Sequence, residues 1–328
     1  MNLKKMFVLL LVCTFFLVGC GKNSKEDIIK KMTKKISDVN SYNLKGILEI
    51  INNENSYLYD VDVAYLKENN FKVSLKNQTN NHEQIILRNN EGVYVLTPSL
   101  NKSFKFQSEW PYNNSQSYLL QSLLNDIKND NEYTFEEKDD GYIITTKANY
   151  SNNKELIRQK IYINKDIDIY KVEVLDNNDI VKLKMDINKI DYNTNYNEDT
   201  FKIETNMKVY ADIEETVSKI DDIIYPMYIP QNTYLETQDK VALEDGERVI
   251  LTFAGEHPFM LIQETVKDNN MVSVNGEPVE LLEGVGALDE TSLTWINNGI
   301  EYYLVSNTME KQELVEVANS LATVALTK

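Results

Sequence analysis

The chain has 328 residues, with 51 acidic and 34 basic side chains giving a formal charge of −17, and only two cysteines and two histidines. That acidity repels polyphosphate backbones and excludes nucleic-acid binding. His82 lies in an Asn-rich stretch and His257 beside Pro258, so neither a histidine triad nor a multi-histidine zinc site can be assembled.

At the N-terminus Lys4 and Lys5 precede an apolar run from Phe7 to Val18, closed by Leu17-Val18-Gly19-Cys20. A basic segment, a short apolar stretch and small residues before a cysteine are the parts of a secretory signal. The run is too short to span about 30 Å of hydrocarbon, which needs about 20 residues. The pattern resembles the lipobox of bacterial lipoproteins. That resemblance implies a signal peptide over 1–19, a lipid-bearing (palmitate-type) Cys20, a tether over 20–25, and a place on the extracytoplasmic face of a cell membrane. Cys13 then leaves with the signal, and no thiol remains for a disulfide, a nucleophile or a soft metal. Losing Lys4 and Lys5 also takes the charge to about −19, which favours a basic protein partner over an acidic one. Arg88, Arg158 and Arg248 are the only arginines among abundant Lys, Asn and Ile. We read this bias as the codon usage of a low-GC Gram-positive bacterium.

Next, Ile28, Ile29, Met32, Ile36 and Val39 recur at helical spacing, with Asn23 or Ser24 placed to cap the helix. The period then changes to two. Leu44 to Ile50, Val61 to Tyr65, Phe71 to Leu75, Val93 to Thr97 and Phe104 to Phe106 read as strands joined by Asn-rich turns. Trp110-Pro111 interrupts them, and Leu119, Leu120, Leu123, Leu124 and Ile127 predict a helix over 115–127, capped by Asn114 or Ser115. The series resumes at Tyr142 to Ala148, Leu156 to Ile163, Ile169 to Leu175 and Val181 to Ile187. In the last, Val181, Leu183, Met185 and Ile187 should face inward. The expectation is one long antiparallel meander, wet on one face and apolar on the other.

A second domain is expected from residue 209. It would hold a linker helix over 212–220, the extended Tyr225-Pro226-Met227-Tyr228-Ile229-Pro230, and strands at Val249 to Ala254 and Phe259 to Val266. A hairpin at Asn275-Gly276 would join Met271–Val274 to Pro278–Leu282, and one at Asn297-Asn298-Gly299 would join Ser292–Ile296 to Ile300–Val305. A closing helix would bury Leu314, Val315, Ala318, Leu321 and Ala322.

The opening helix, the strand series, Trp110-Pro111 after Phe104-Lys105-Phe106, and the helix that follows resemble the LolA and RseB superfamily. The likeness is nearest to its Gram-positive sporulation and germination lipoproteins of the GerS type. It implies an α+β, mainly antiparallel fold: a LolA-like incomplete β-barrel with covering helices over 26–208, then a small α+β domain over 209–328. It also implies a cavity for acyl chains or a protein partner, without naming ligand-binding residues.

Catalytic parts are lacking: Gly284-Val285-Gly286 has no third glycine and no strand-to-helix setting for a phosphate loop. The acidic groups Glu136-Glu137 with Asp139-Asp140, and Glu214-Glu215 with Asp221-Asp222, lack calcium-loop spacing and read as solvated surface. Trp110 and Trp295 read as core rather than as sugar-stacking platforms. No enzyme activity, catalytic residue, cofactor or metal is expected. The expected function is a membrane-anchored interaction or sensing module in sporulation or germination, its partner a cell-wall amidase or regulator. The alternative is a carrier or chaperone for lipid or lipoprotein acyl chains.

Overall fold

The computed structural model describes residues 24–53, 55–150, 152–207, 219–266 and 271–321. Contacts divide it into two units, 1–38 and 39–328. In the first, helix α1 (Lys25–Asp38) buries Ile28, Met32 and Ile36. Ser24 caps it reciprocally: its hydroxyl accepts the Asp27 N–H at 3.1 Å while Asp27 Oδ2 accepts the Ser24 N–H. Cys20 and the signal segment lie outside the described residues.

The second unit holds two open sheets. Strands β1 (Ser41–Asn52), β2 (Asn55–Leu66), β3 (Asn70–Asn77), β4 (Glu83–Asn89), β5 (Gly92–Thr97) and β6 (Lys102–Phe106) run outward as an antiparallel meander. After helix α2 (Leu120–Asn129), strands β7 (Thr134–Lys138), β8 (Gly141–Lys147), β9 (Arg158–Asn164), β10 (Ile169–Leu175) and β11 (Val181–Asp191) return from the other side. β11 pairs with β1, so the expected single meander is two meanders joined at the middle of the sheet. A bulge at Lys45/Gly46 accommodates the join. Gly46 is required there, since a Cβ would lie 2.2 Å from the Asp186 carbonyl oxygen.

Strand β11 alternates most clearly in sequence, yet only Met185 is buried along it. Conversely, β4 and β5 bury consecutive residues. Their second face, with Ile85, Leu87, Tyr94 and Leu96 beside Ala64 of β2, is covered by Phe201, Ile203 and Met207. The latter two open and close the short helix α3 (Ile203–Met207). The one-wet-face expectation therefore fails at these strands.

Helix α2 starts at Leu120, not at Ser115. Ser115 is held instead to Asn149 by paired hydrogen bonds at 2.8 Å. The expected apolar residues Leu119, Leu120, Leu123, Leu124 and Ile127 are all buried. Tyr42 donates to Gln121 Oε1 at 2.8 Å, and Tyr42, Tyr65, Phe71 and Trp110 continue as an aromatic chain.

The second sheet comprises β12 (Thr233–Leu243), β13 (Gly246–Gly255), β14 (Phe259–Thr265), β16 (Glu277–Leu281), β17 (Gly284–Leu288), β18 (Ser292–Asn297) and β19 (Ile300–Val305), in the order 12-13-14-19-18-17-16. Helix α4 (Lys311–Asn319) packs Leu314, Val315, Val317 and Ala318 against Val249, Leu251, Leu261, Leu304 and Trp295. The remaining strand, β15 (Met271–Val274), corrects the hairpin expected at Asn275-Gly276. It does not pair with β16; it adds in parallel to β6 at the rim of the first sheet.

Candidate functional site

The strand β15 carries the chain from the second sheet onto the first, and beside it the sheets enclose a cleft of about 460 Å³. Its apolar lining comes from Phe104 on β6, Val272 and Val274 on β15, Ile262 on β14 and Tyr303 on β19. Alternation explains the set. Phe253, Leu251 and Val249 of the second sheet face its own core, so their opposite-facing neighbours look away from it.

Two ion pairs border the apolar surface. Lys102 Nζ lies 3.0 Å from Glu301 Oε2 with its side chain only 7% exposed, and it joins the two sheets. The Arg248 guanidinium binds Glu264 from Nε at 2.7 Å and Nη2 at 2.5 Å. With its charges balanced and its floor apolar, the cleft suits an apolar side chain or an acyl segment. Its lining holds neither histidine nor cysteine.

Two further contacts fix the seam. Gln84 accepts the Val285 N–H at 2.6 Å, and Tyr59 donates to the Leu282 carbonyl at 2.7 Å. At the edge strand β16, Asn113 and Asn114 donate to Glu277, and Tyr118 donates to Glu280. Burial pushes the Glu280 carboxyl above its ordinary value and nearby Glu277 adds to the effect, while the Tyr118 hydrogen bond opposes both.

The sequence candidates scatter. Trp110 is fully buried, and Trp295 stacks on Tyr302 at 5.0 Å, so both are core. Glu136 is exposed and pairs with Lys138 at 2.8 Å, while Glu137 is 3.8 Å from Lys165. Glu214 and Glu215 lie outside the described residues. His257 faces Glu313 at 3.6 Å, far in sequence from His82 in the loop before β4. Among the described residues no group of His, Cys, Asp and Glu could hold a metal. No helix there is long and apolar enough to cross a membrane. The cleft residues were missed because they come from six strands and share no motif.

Fold and cleft together define a mainly antiparallel α+β protein of two open sheets with an apolar-lined cleft at their seam. No protein-family model matches the chain. It is 37% identical over 330 residues, covering 98% of either chain, to the sporulation protein YdcC of Bacillus subtilis (strain 168). The chain belongs to that family. Among solved structures, the MucA/MucB complex of Pseudomonas aeruginosa is similar at 8% identity and TM-score 0.34, covering 90% of this chain and 97% of that one. The LolA superfamily protein NE2245 of Nitrosomonas europaea is similar at 11% identity and TM-score 0.27, covering 87% and 92%. The CwlD amidase of Clostridioides difficile in complex with the GerS lipoprotein is similar at 17% identity and TM-score 0.24, covering 55% and 100%.

Proposed function

We propose that the chain is a non-catalytic lipoprotein of the cell envelope that engages a protein partner during sporulation. In this reading lipid on Cys20 holds it at the outer face of the cytoplasmic membrane. A LolA-like domain ending near residue 208 and a small C-terminal domain work as one body, with β15 crossing between them. Whole-length kinship with a sporulation protein carries the proposal. The partner class we favour is a cell-wall enzyme, such as an amidase, or its regulator.

The test is affinity capture of the full-length protein from sporulating and vegetative cells, alongside a deletion strain. A stoichiometric envelope partner in sporulating cells and impaired sporulation or germination are expected. No partner together with normal sporulation would overturn the reading. The apolar cleft favours a second reading, carriage of an acyl chain. An amphiphile extracted from the same eluate, without a protein partner, would select it.

A further inference from the structure

Most of the second sheet is buried or half-buried, but β12 is not. From Tyr234 to Ala242 every residue is exposed, on both faces of the strand. It pairs only with β13 and forms one end of the sheet order, so among the described residues its outer row of main-chain groups meets no strand. Native edges are commonly blunted by lysines, prolines or a cover. Here the only lysine, Lys240, is turned to Glu247 at 2.8 Å and to the Ile220 carbonyl.

Apolar side chains crowd the same place. Half of the large apolar side chains exposed among the described residues fall between Tyr225 and Val241, including Met227 at 88% and Tyr234 at 60%. The approach to the strand is pinned beside it, since the Tyr225 hydroxyl donates to Gln238 Oε1 and Met227 N–H donates to the Ser320 carbonyl. Large exposed apolar side chains concentrated in one stretch of chain favour an interaction site. The charges state what fits. Glu236, Asp239, Glu244 and Asp245 are exposed on this strand and its turn, and none forms an ion pair among the described residues.

We propose that β12 is an open docking edge onto which an extended segment of a protein partner, alternating lysine or arginine with apolar residues, adds as a further strand. The main chain supplies affinity through the ladder, Tyr234, Leu235 and Val241 supply apolar contacts, and the acids select a basic sequence. The inference rests on the partner-binding reading and names the partner's chemistry.

Three ten-residue probes test it on the full chain in detergent: alternating Lys and Val, alternating Glu and Val, and the first with a central proline. Binding is followed by fluorescence anisotropy and by amide hydrogen exchange. The basic probe should bind and slow exchange over 233–243, with the acidic and proline probes at least about tenfold weaker. The surface variant Glu236→Lys/Asp239→Lys should weaken the basic probe by a similar factor, and Tyr234→Ser/Leu235→Ser should do so without altering charge. Protection beside β6 and β15 instead, equal binding of acidic and basic probes, or peptide-free protection of β12 by a second copy would each overturn the docking edge. Capture of a sporulation partner that the two double variants leave unchanged would overturn it too, while leaving the partner-binding reading standing.

Discussion

Gln84 and Val285 form a two-way clasp between the sheets: Gln84 Oε1 accepts the Val285 N–H at 2.6 Å, and its Nε2 faces the Val285 carbonyl at 3.4 Å. Both residues are buried, so neither main-chain group can turn to water. Gln84→Ala should lower stability by about 1–3 kcal/mol, the cost of leaving the buried donor unpaired. Urea unfolding of the full chain measures it. Gly284 sits beside the clasp at φ +142°, where a Cβ would meet Gln84 Oε1 at 2.5 Å. Gly284→Ala should therefore destabilise as well, and the two changes should be non-additive because they strike one contact.

Lys102 serves the seam from the other side, as a nearly buried cation on Glu301. Lys102→Met keeps the stem but leaves Glu301 facing an apolar cleft. Because Glu301 is itself 24% exposed, water softens the penalty, and a loss of about 1–2 kcal/mol is expected. Lys102→Met/Glu301→Leu should recover most of it. A double variant no better than Lys102→Met would show that the pair is not what holds this side of the seam.

Much of this construction was legible in the sequence, and the failures have physical reasons. Strands such as Phe71 to Leu75 announce themselves because one face meets the core and the other meets charge. β12 did not, since residues exposed on both faces do not alternate. β17 was hidden by Gly284 and Gly286, which lack the usual strand preference. The pairings of β11 with β1 and of β15 with β6 were illegible for another reason. Each joins segments more than a hundred residues apart, whereas turn residues such as Asn275-Gly276 report only on their neighbours. The cleft inherits that difficulty, being assembled from those non-local pairings.

Helix α2 turns its apolar stripe inward. Leu123 has no exposed surface and Ile127 retains 2%. Leu123→Ala should cost about 2–5 kcal/mol, the range for a buried leucine. If the helix were instead a lid over a ligand, stability would barely change while binding of a fluorescent fatty acid would rise. Thermal unfolding with the ligand titration in parallel separates the two.

Asp126, on the same helix, supplies a pH dependence of uncommon sign. Burial pushes its carboxyl up to about 6, against hydrogen bonds from Ser115 and Gln159. Gln159 Nε2 donates to Asp126 Oδ2 at 2.6 Å, while Gln159 Oε1 is buried without a hydrogen-bond partner. A protonated Asp126 could donate to that oxygen and close an acid–amide pair, so the neutral form fits the site better. Between the ordinary value of 3.8 and about 6 the folded chain then holds more proton than the unfolded one. This contribution to stability is fully present below the lower value, falls as pH rises through the window, and is flat above it. Asp126→Asn mimics the neutral acid, with an amide N–H for Gln159 Oε1. It should remove this component and leave the variant more stable than the parent above pH 6. Urea midpoints measured from pH 4 to pH 8 for both chains decide the matter. Parallel profiles would mean that Asp126 titrates alike in the folded and unfolded chains.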